Sequence, residues 1–158
     1  SGGLRSAVEV ELGVGDIDRS LENALHLKSF GILSYDDEKG VFIARHNRGF
    51  SIGSKTEFNE NTLLHNKFIK QNKPIIVDEI DRHFRNKATA PAIDQYKKYG
   101  VEVLVPMTIK RRTVGLLALG AKESGDMYTD EDLQVLEIVG AQAAIAIENA
   151  LLYEEAKK

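Results

Sequence analysis

Residues 128–153 read YTDEDLQVLEIVGAQAAIAIENALLY, and this stretch constrains the fold more than any other. Thr129 stands where a helix N-cap belongs, and Asp132 stands where a capping box takes its acid. Asp130 and Glu131 complement the positive end of a helix dipole. A helix therefore begins near residue 130, and the charged but helix-compatible tail carries it to about residue 156. Val135, Leu136, Ile138, Val139, Gly140, Ala141, Ala143, Ala144, Ile145, Ala146 and Ile147 leave only a narrow polar stripe of Gln134, Glu137 and Glu148. A helix apolar on two sides needs two covers, and a sheet supplies only one. The second is either the same helix of another copy, approaching closely over small residues, or N-terminal helices of the same chain. The first arrangement predicts a homodimer with Val139, Gly140, Ala143, Ala144, Ile147, Ala150 and Leu151 at its interface.

Just before this helix lie two strands. Val101, Val103, Val105, Met107 and Ile109 alternate with Glu102, Leu104, Pro106, Thr108 and Lys110, the period-2 pattern of a strand. Thr113 to Leu119 is apolar on both faces and reads as a central strand, reached through a tight turn at Arg111-Arg112. Nearer the N-terminus, Phe30–Tyr35 and Val41–His46 flank the polar turn 36–40 and form a hairpin. Residues 47–60 read as a loop, Asn61 or Thr62 starts a helix carrying Leu64 and Phe68, and Pro74 opens a short strand over residues 75–77. Residues 81–100 are irregular, with a helical turn begun by Pro91 and closed by Gly100. Leu4–Leu12 reads as a short helix stopped at Gly13-Val14-Gly15, and Asp16 caps a second one bearing Ile17, Leu21, Ala24 and Leu25 to about Lys28. Ser1-Gly2-Gly3 has the look of a cloning remnant, leaving residues 4–158 as one domain cut from a longer chain.

Composition removes several chemistries. With 158 residues and 42% hydrophobic content the chain is long enough for one ordinary globular core. Its net charge of -3 offers no general attraction to nucleic acid or anionic membrane. The absence of cysteine rules out disulfides, thiolate metal sites and Cys nucleophiles, and suits a cytoplasmic location. No single apolar run reaches the length needed to span a bilayer. The glycines have no phosphate-loop setting, His26, His46, His65 and His83 are scattered without metal-ligand spacing, and no nucleophile elbow is present. Asp78, Glu79 and Asp81 read as a helix start rather than as acid–base machinery. Arg82, Arg85, Lys87, Lys97 and Lys98 outnumber Asp81 and Asp94, which makes residues 81–100 either a positive surface for an anionic ligand or an ordinary solvated face. No catalytic residue, metal or cofactor is assigned, and the domain is expected not to be an enzyme.

The segments Lys73–Asp78, Val105-Pro106-Met107, Arg112–Leu119, Tyr128–Leu133 and Ala144–Ala150, in this order, resemble the GAF domain. The resemblance covers roughly residues 16–153. It implies an α+β fold in which a central antiparallel sheet carries the terminal helices on one face and a ligand pocket, roofed by residues 80–99, on the other. Cyclic-nucleotide-binding members carry an Asn-Lys, Phe, Asp-Glu signature, and the corresponding positions here are Ala121-Lys122, Tyr128 and Asp132-Leu133. The missing Asn and Glu argue against cyclic GMP, and the missing Cys argues against covalent bilins and sulfoxide reduction. The expected function is small-molecule sensing, passed through the terminal helices to an attached output domain such as a histidine kinase, cyclase or transcriptional regulator. Phe50, Val77, Asp78, His83, Phe84, Tyr96, Val103 and Val105 are the candidate ligand contacts. The alternative is a ligand-free dimerisation and transmission module with a filled core.

Overall fold

A computed structural model describes the backbone of residues 2–156 and the side chains of residues 13–153. Helix α1 (Gly2–Leu25) leads into the hairpin β1 (Phe30–Asp36) and β2 (Val41–Arg48). Then follow β3 (Glu57–Asn59), α2 (Thr62–Lys67), a 3-10 turn (Ile69–Gln71), β4 (Ile75–Ile76), α3 (Val77–Phe84) and α4 (Ala90–Lys98). The chain closes with β5 (Val103–Ile109), β6 (Arg112–Leu119) and α5 (Asp130–Ala156). The strands form one antiparallel six-stranded sheet in the order β3-β2-β1-β6-β5-β4. The fold is α+β with helices on both faces, as the sequence predicts.

The sheet divides two cores. On one face, Phe30 and Ile32 of β1, Val103, Val105 and Met107 of β5, and Leu117 and Leu119 of β6 pack beneath Ile17, Leu21 and Leu25 of α1 and Leu136, Val139, Ala143, Ala144 and Ile147 of α5. On the other face, Leu33, Phe42, Leu104, Leu116 and Ala118 pack beneath α2, α3 and α4. Period-2 alternation sends neighbouring residues of β5 to opposite cores, so Leu104 faces the roof while Val103 and Val105 face the terminal helices.

Four sequence expectations are corrected. The Gly13-Val14-Gly15 break is absent, and α1 runs unbroken through it, with Gly13 so placed that an added Cβ would lie 3.7 Å from Ala146 Cβ of α5. The segment expected to be a loop contains β3, which adds to β2 through Phe42 opposite Phe58. Val77 begins α3 instead of ending a strand, and Asp78 and Glu79 occupy its first turn, where acids favour the helix dipole. The β5–β6 turn is centred on Lys110 and Arg111, whose φ values of 50° and 66° fit the mirror-image turn that matches strand twist.

The start of α5 follows its sequence closely. Asp132 N–H donates to Thr129 Oγ1 at 3.1 Å, and Thr129 N–H donates to Asp132 Oδ2 at 2.8 Å, a reciprocal capping box. Asp132 also pairs with Lys122 at 2.5 Å, and Tyr128 donates its hydroxyl proton to the Gly120 carbonyl at 2.6 Å. Farther along, Glu148 accepts from Arg112 at 2.7 Å. The helix is thus tied to the start of β6 through Glu148 and to the segment just after its end through Asp132.

Candidate functional site

Two regions compete for the functional role: the space between sheet and roof, and the solvent side of α5. The roof is built from short elements clamped by polar contacts. Arg85 reaches Asp94 with a two-pronged contact of 2.8 and 2.9 Å and holds Asp81 at 2.8 Å. Lys97 reaches Asp81 at 2.6 Å and Asp78 at 3.4 Å. The hydrogen bonds from Lys97 and Arg85 hold the Asp81 carboxyl below its ordinary range, and Arg85 does the same for Asp94. Two of the five cations that suggested a positive surface are therefore spent within the roof. The Thr89 hydroxyl donates to the Phe84 carbonyl at 2.8 Å and accepts from Asn86 N–H at 2.9 Å, fixing the bend between α3 and α4.

Beneath the roof, the cavity measures about 30 Å³. That is room for one or two water molecules, not for a preformed metabolite site. Its wall is mostly apolar, from Phe42, Leu64, Ile69, Ile75, Val77, Ile80, Ile93, Tyr96 and Leu104 among others, with Asn59, Glu60 and Asn61 at one edge and no Lys or Arg. Glu60 is the chemically distinct member. Its Oε2 accepts the Tyr35 hydroxyl proton at 2.5 Å, and its Oε1 lies 2.6 Å from His65 Nδ1, off the line of a hydrogen bond but within ion-pair range when the imidazole is protonated. Burial first, and then the bond to Glu60, push the Tyr35 phenol up to about 12. Asn61 caps α2 by accepting from Leu64 N–H at 3.0 Å. Among the described residues no group of His and acidic side chains is placed to hold a metal ion.

The eight expected ligand contacts do not converge. Val77 and Tyr96 line the cavity, and Tyr96 stacks on Phe58 with ring centres 5.1 Å apart. Asp78 is an exposed rim residue paired with Lys97, and His83 is exposed. Phe84 packs edge-on against Phe68 at 4.8 Å, outside the cavity wall. Phe50 is buried in the roof-side core but belongs to its far end, where Asn47 and Phe50 exchange two hydrogen bonds of 2.7 and 3.0 Å. Val103 and Val105 are corrected outright, because they lie on the opposite face of the sheet beneath α5. Glu60, in a stretch that reads as loop, and Leu104, one residue out of phase with the valines that the sequence singles out, are the site residues that sequence reasoning does not find.

Five of the seven predicted dimer residues are also corrected. Val139, Gly140, Ala143, Ala144 and Ile147 are buried within the chain, and Ala150 and Leu151 are half-buried. A Cβ on Gly140 would sit 2.8 Å from Val105 Cγ1 and 3.2 Å from the Pro106 carbonyl oxygen, so the glycine serves the approach of α5 to β5. The solvent side of α5 carries different residues: Ile138, Ile145 and Leu152 are 62%, 60% and 54% exposed, and Val135 is 39% exposed. By length and composition Asp130–Tyr153 is apolar enough to cross a membrane, but its inner half owes that character to packing on the sheet and α1.

Comparison with known proteins agrees with this architecture. The GAF domain family model matches residues 17–148. Diguanylate cyclase A of Treponema denticola is 30% identical over 152 residues, covering 88% of this chain, and the chain spans 40% of that relative's length. Among solved structures, the GAF domain of a two-component sensor histidine kinase from Bacillus halodurans superposes with a TM-score of 0.65 at 18% identity, covering 91% of this chain and 97% of that one. The GAF domain/HD domain protein from Geobacter sulfurreducens gives 0.66 at 12% identity, with 90% and 94% covered. At these identities the structural likeness speaks for the fold alone. The family match spans most of the chain, and the protein belongs to the GAF domain family, the sensory regulatory modules of signalling proteins.

Proposed function

We propose that this domain is a non-enzymatic, cytoplasmic transmission module that works as a homodimer through the outer face of α5. In this reading it passes its state along α5 to an attached output domain, a cyclase in the case its relative suggests. The observation that carries the proposal is the row of exposed aliphatic side chains on a helix whose opposite face is already buried. Unpartnered apolar surface of this kind on a soluble domain marks an interaction site. The ties Arg112–Glu148 and Lys122–Asp132 link the start of β6 and the segment just after its end to α5, so a displacement of the sheet reaches the interface. Nothing in this role needs nucleic acid or a membrane. Native mass spectrometry over a dilution series tests it. A dimer that dissociates only on dilution supports the reading, and a monomer at tens of micromolar contradicts it.

Small-molecule sensing is a second reading, favoured by Glu60 at the edge of the apolar cavity. A wall with one carboxylate and no cation suits a small neutral or cationic ligand and penalises an anionic one. The cavity of about 30 Å³ requires the roof to move for anything larger than water. Melting shifts with matched small amines, alcohols and carboxylates of one carbon skeleton test this. Stabilisation by the amine or alcohol supports the reading, while no shift with any of them points to the ligand-free module.

A further inference from the structure

The outer face of α5 carries more than exposed apolar surface. Val135, Ile138, Gln142, Ile145, Asn149 and Leu152 follow one another at intervals of 3, 4, 3, 4 and 3, and all six are exposed. This is the a/d repeat of a coiled-coil seam, with Val135, Gln142 and Asn149 at one class of position and Ile138, Ile145 and Leu152 at the other. The seam carries no charge; Ala141, exposed on one side of it, is small enough for a second helix to come close, and Ala146 on the other side packs toward α1.

We infer that the partner is a second copy of this chain, with its α5 parallel and in register, and that Gln142 and Asn149 select that orientation. This rests on the dimer reading above and goes on to its geometry. In a parallel in-register pair each residue meets its own copy, so Gln142 faces Gln142, Asn149 faces Asn149 and the four aliphatic layers face themselves. In an antiparallel pair overlapping along the whole seam, Val135 meets Leu152, Ile138 meets Asn149 and Gln142 meets Ile145. All four amide side chains would then be buried against aliphatic partners. Burying an amide without a hydrogen-bond partner is costly, whereas amide against amide can satisfy both. A polar residue at a single seam position is known to fix register at some expense of stability. A lipid surface is disfavoured as the occupant by the same two amides, which would stay unsatisfied in hydrocarbon.

The chain contains no cysteine, so each introduced thiol reports alone. Ile138→Cys and Leu152→Cys are made separately, purified under reducing conditions and oxidised gently as the full chain. A parallel in-register dimer brings both symmetric pairs within disulfide reach, and both variants form the cross-linked dimer. An antiparallel pair, whatever its register, has a single midpoint. The two sites are about 21 Å apart along the helix, so it can close at most one of them. A parallel but shifted pair closes neither. Mixing Ile138→Cys with Asn149→Cys chains gives the opposite check, since a mixed dimer dominating over both symmetric ones indicates the antiparallel pair and overturns the inference. In the double variant Gln142→Val with Asn149→Val, the dimer is expected to tighten at least tenfold and to lose its strict cross-linking pattern. An unchanged pattern there shows that the amides do not set the orientation. If wild-type protein shows no dimer at all, it is the underlying reading that fails, and sedimentation on the same samples separates that outcome from a wrong orientation.

Discussion

The two faces of α5 use similar residues for opposite purposes. The inner face buries Leu136, Val139, Ala143, Ala144 and Ile147 against the sheet and α1, and places Gly140 where no side chain fits. The outer face leaves Ile138 and Ile145 well exposed, at 62% and 60%. Hydrophobicity alone therefore does not say which residues of such a helix hold the fold and which await a partner. The position of the small residues does: Gly140, Ala143 and Ala144 lie on the inner face and let helix and sheet approach, whereas the exposed Ile138, Ile145 and Leu152 of the outer face are spaced for a second helix.

This contrast can be broken by substitution, beginning with the inner face. Leu136 is fully buried, and Leu136→Ala should cost about 3 kcal/mol in chemical denaturation, the loss expected for a large core side chain. A smaller loss, of about 2 kcal/mol, is expected for Gly140→Val, since its Cβ alone collides with Val105 and the Pro106 carbonyl. If Gly140→Val were neutral, the close approach of α5 to β5 would be wrong.

The start of α5 sharpens the comparison through pH. Burial opposes ionisation of Asp132, but the bonds from Lys122 and Thr129 outweigh it and hold the carboxyl below its ordinary value. A carboxyl depressed in the folded state adds stability that is present above its unfolded pKa, about 4, and fades as the pH falls through the folded value. Asp132→Asn should lower Tm at pH 7 by about 3 °C, for roughly 1 kcal/mol of capping and pairing. The gap to wild type should narrow in acid below about pH 4. A gap independent of pH would mean that the charge of Asp132 is not what matters.

The smallest effect is expected at the roof. Arg85 pairs with Asp81 and Asp94 in the open, where water screens the charges. Arg85→Ala should move Tm by only about 1 °C, and a much larger drop would show that the clamp carries the roof.

The sequence showed the architecture well where pattern and capping agree. The capping box at Thr129 and Asp132, the hairpin around residues 36–40 and the alternating run of β5 each encode an element locally, and each is present. It showed the site poorly, because a site depends on phase and on long-range contact. Val103 and Val105 were assigned to the wrong core by a one-residue choice that nothing local to β5 decides. Glu60 gains its role only through Tyr35 and His65, which lie on other elements. The two-sided apolar character of α5 was plain in sequence, yet which side faces the sheet was settled by Gly140 meeting β5.

Sedimentation velocity of wild type beside Ile138→Ser with Ile145→Ser tests the role of the outer face of α5 most directly. The prediction is a dimer for wild type at tens of micromolar and a monomer for the double variant, whose melting curve, measured after dilution to monomer, overlays that of wild type. Equal sedimentation of the two proteins, whether both are monomers or both are dimers, would contradict it.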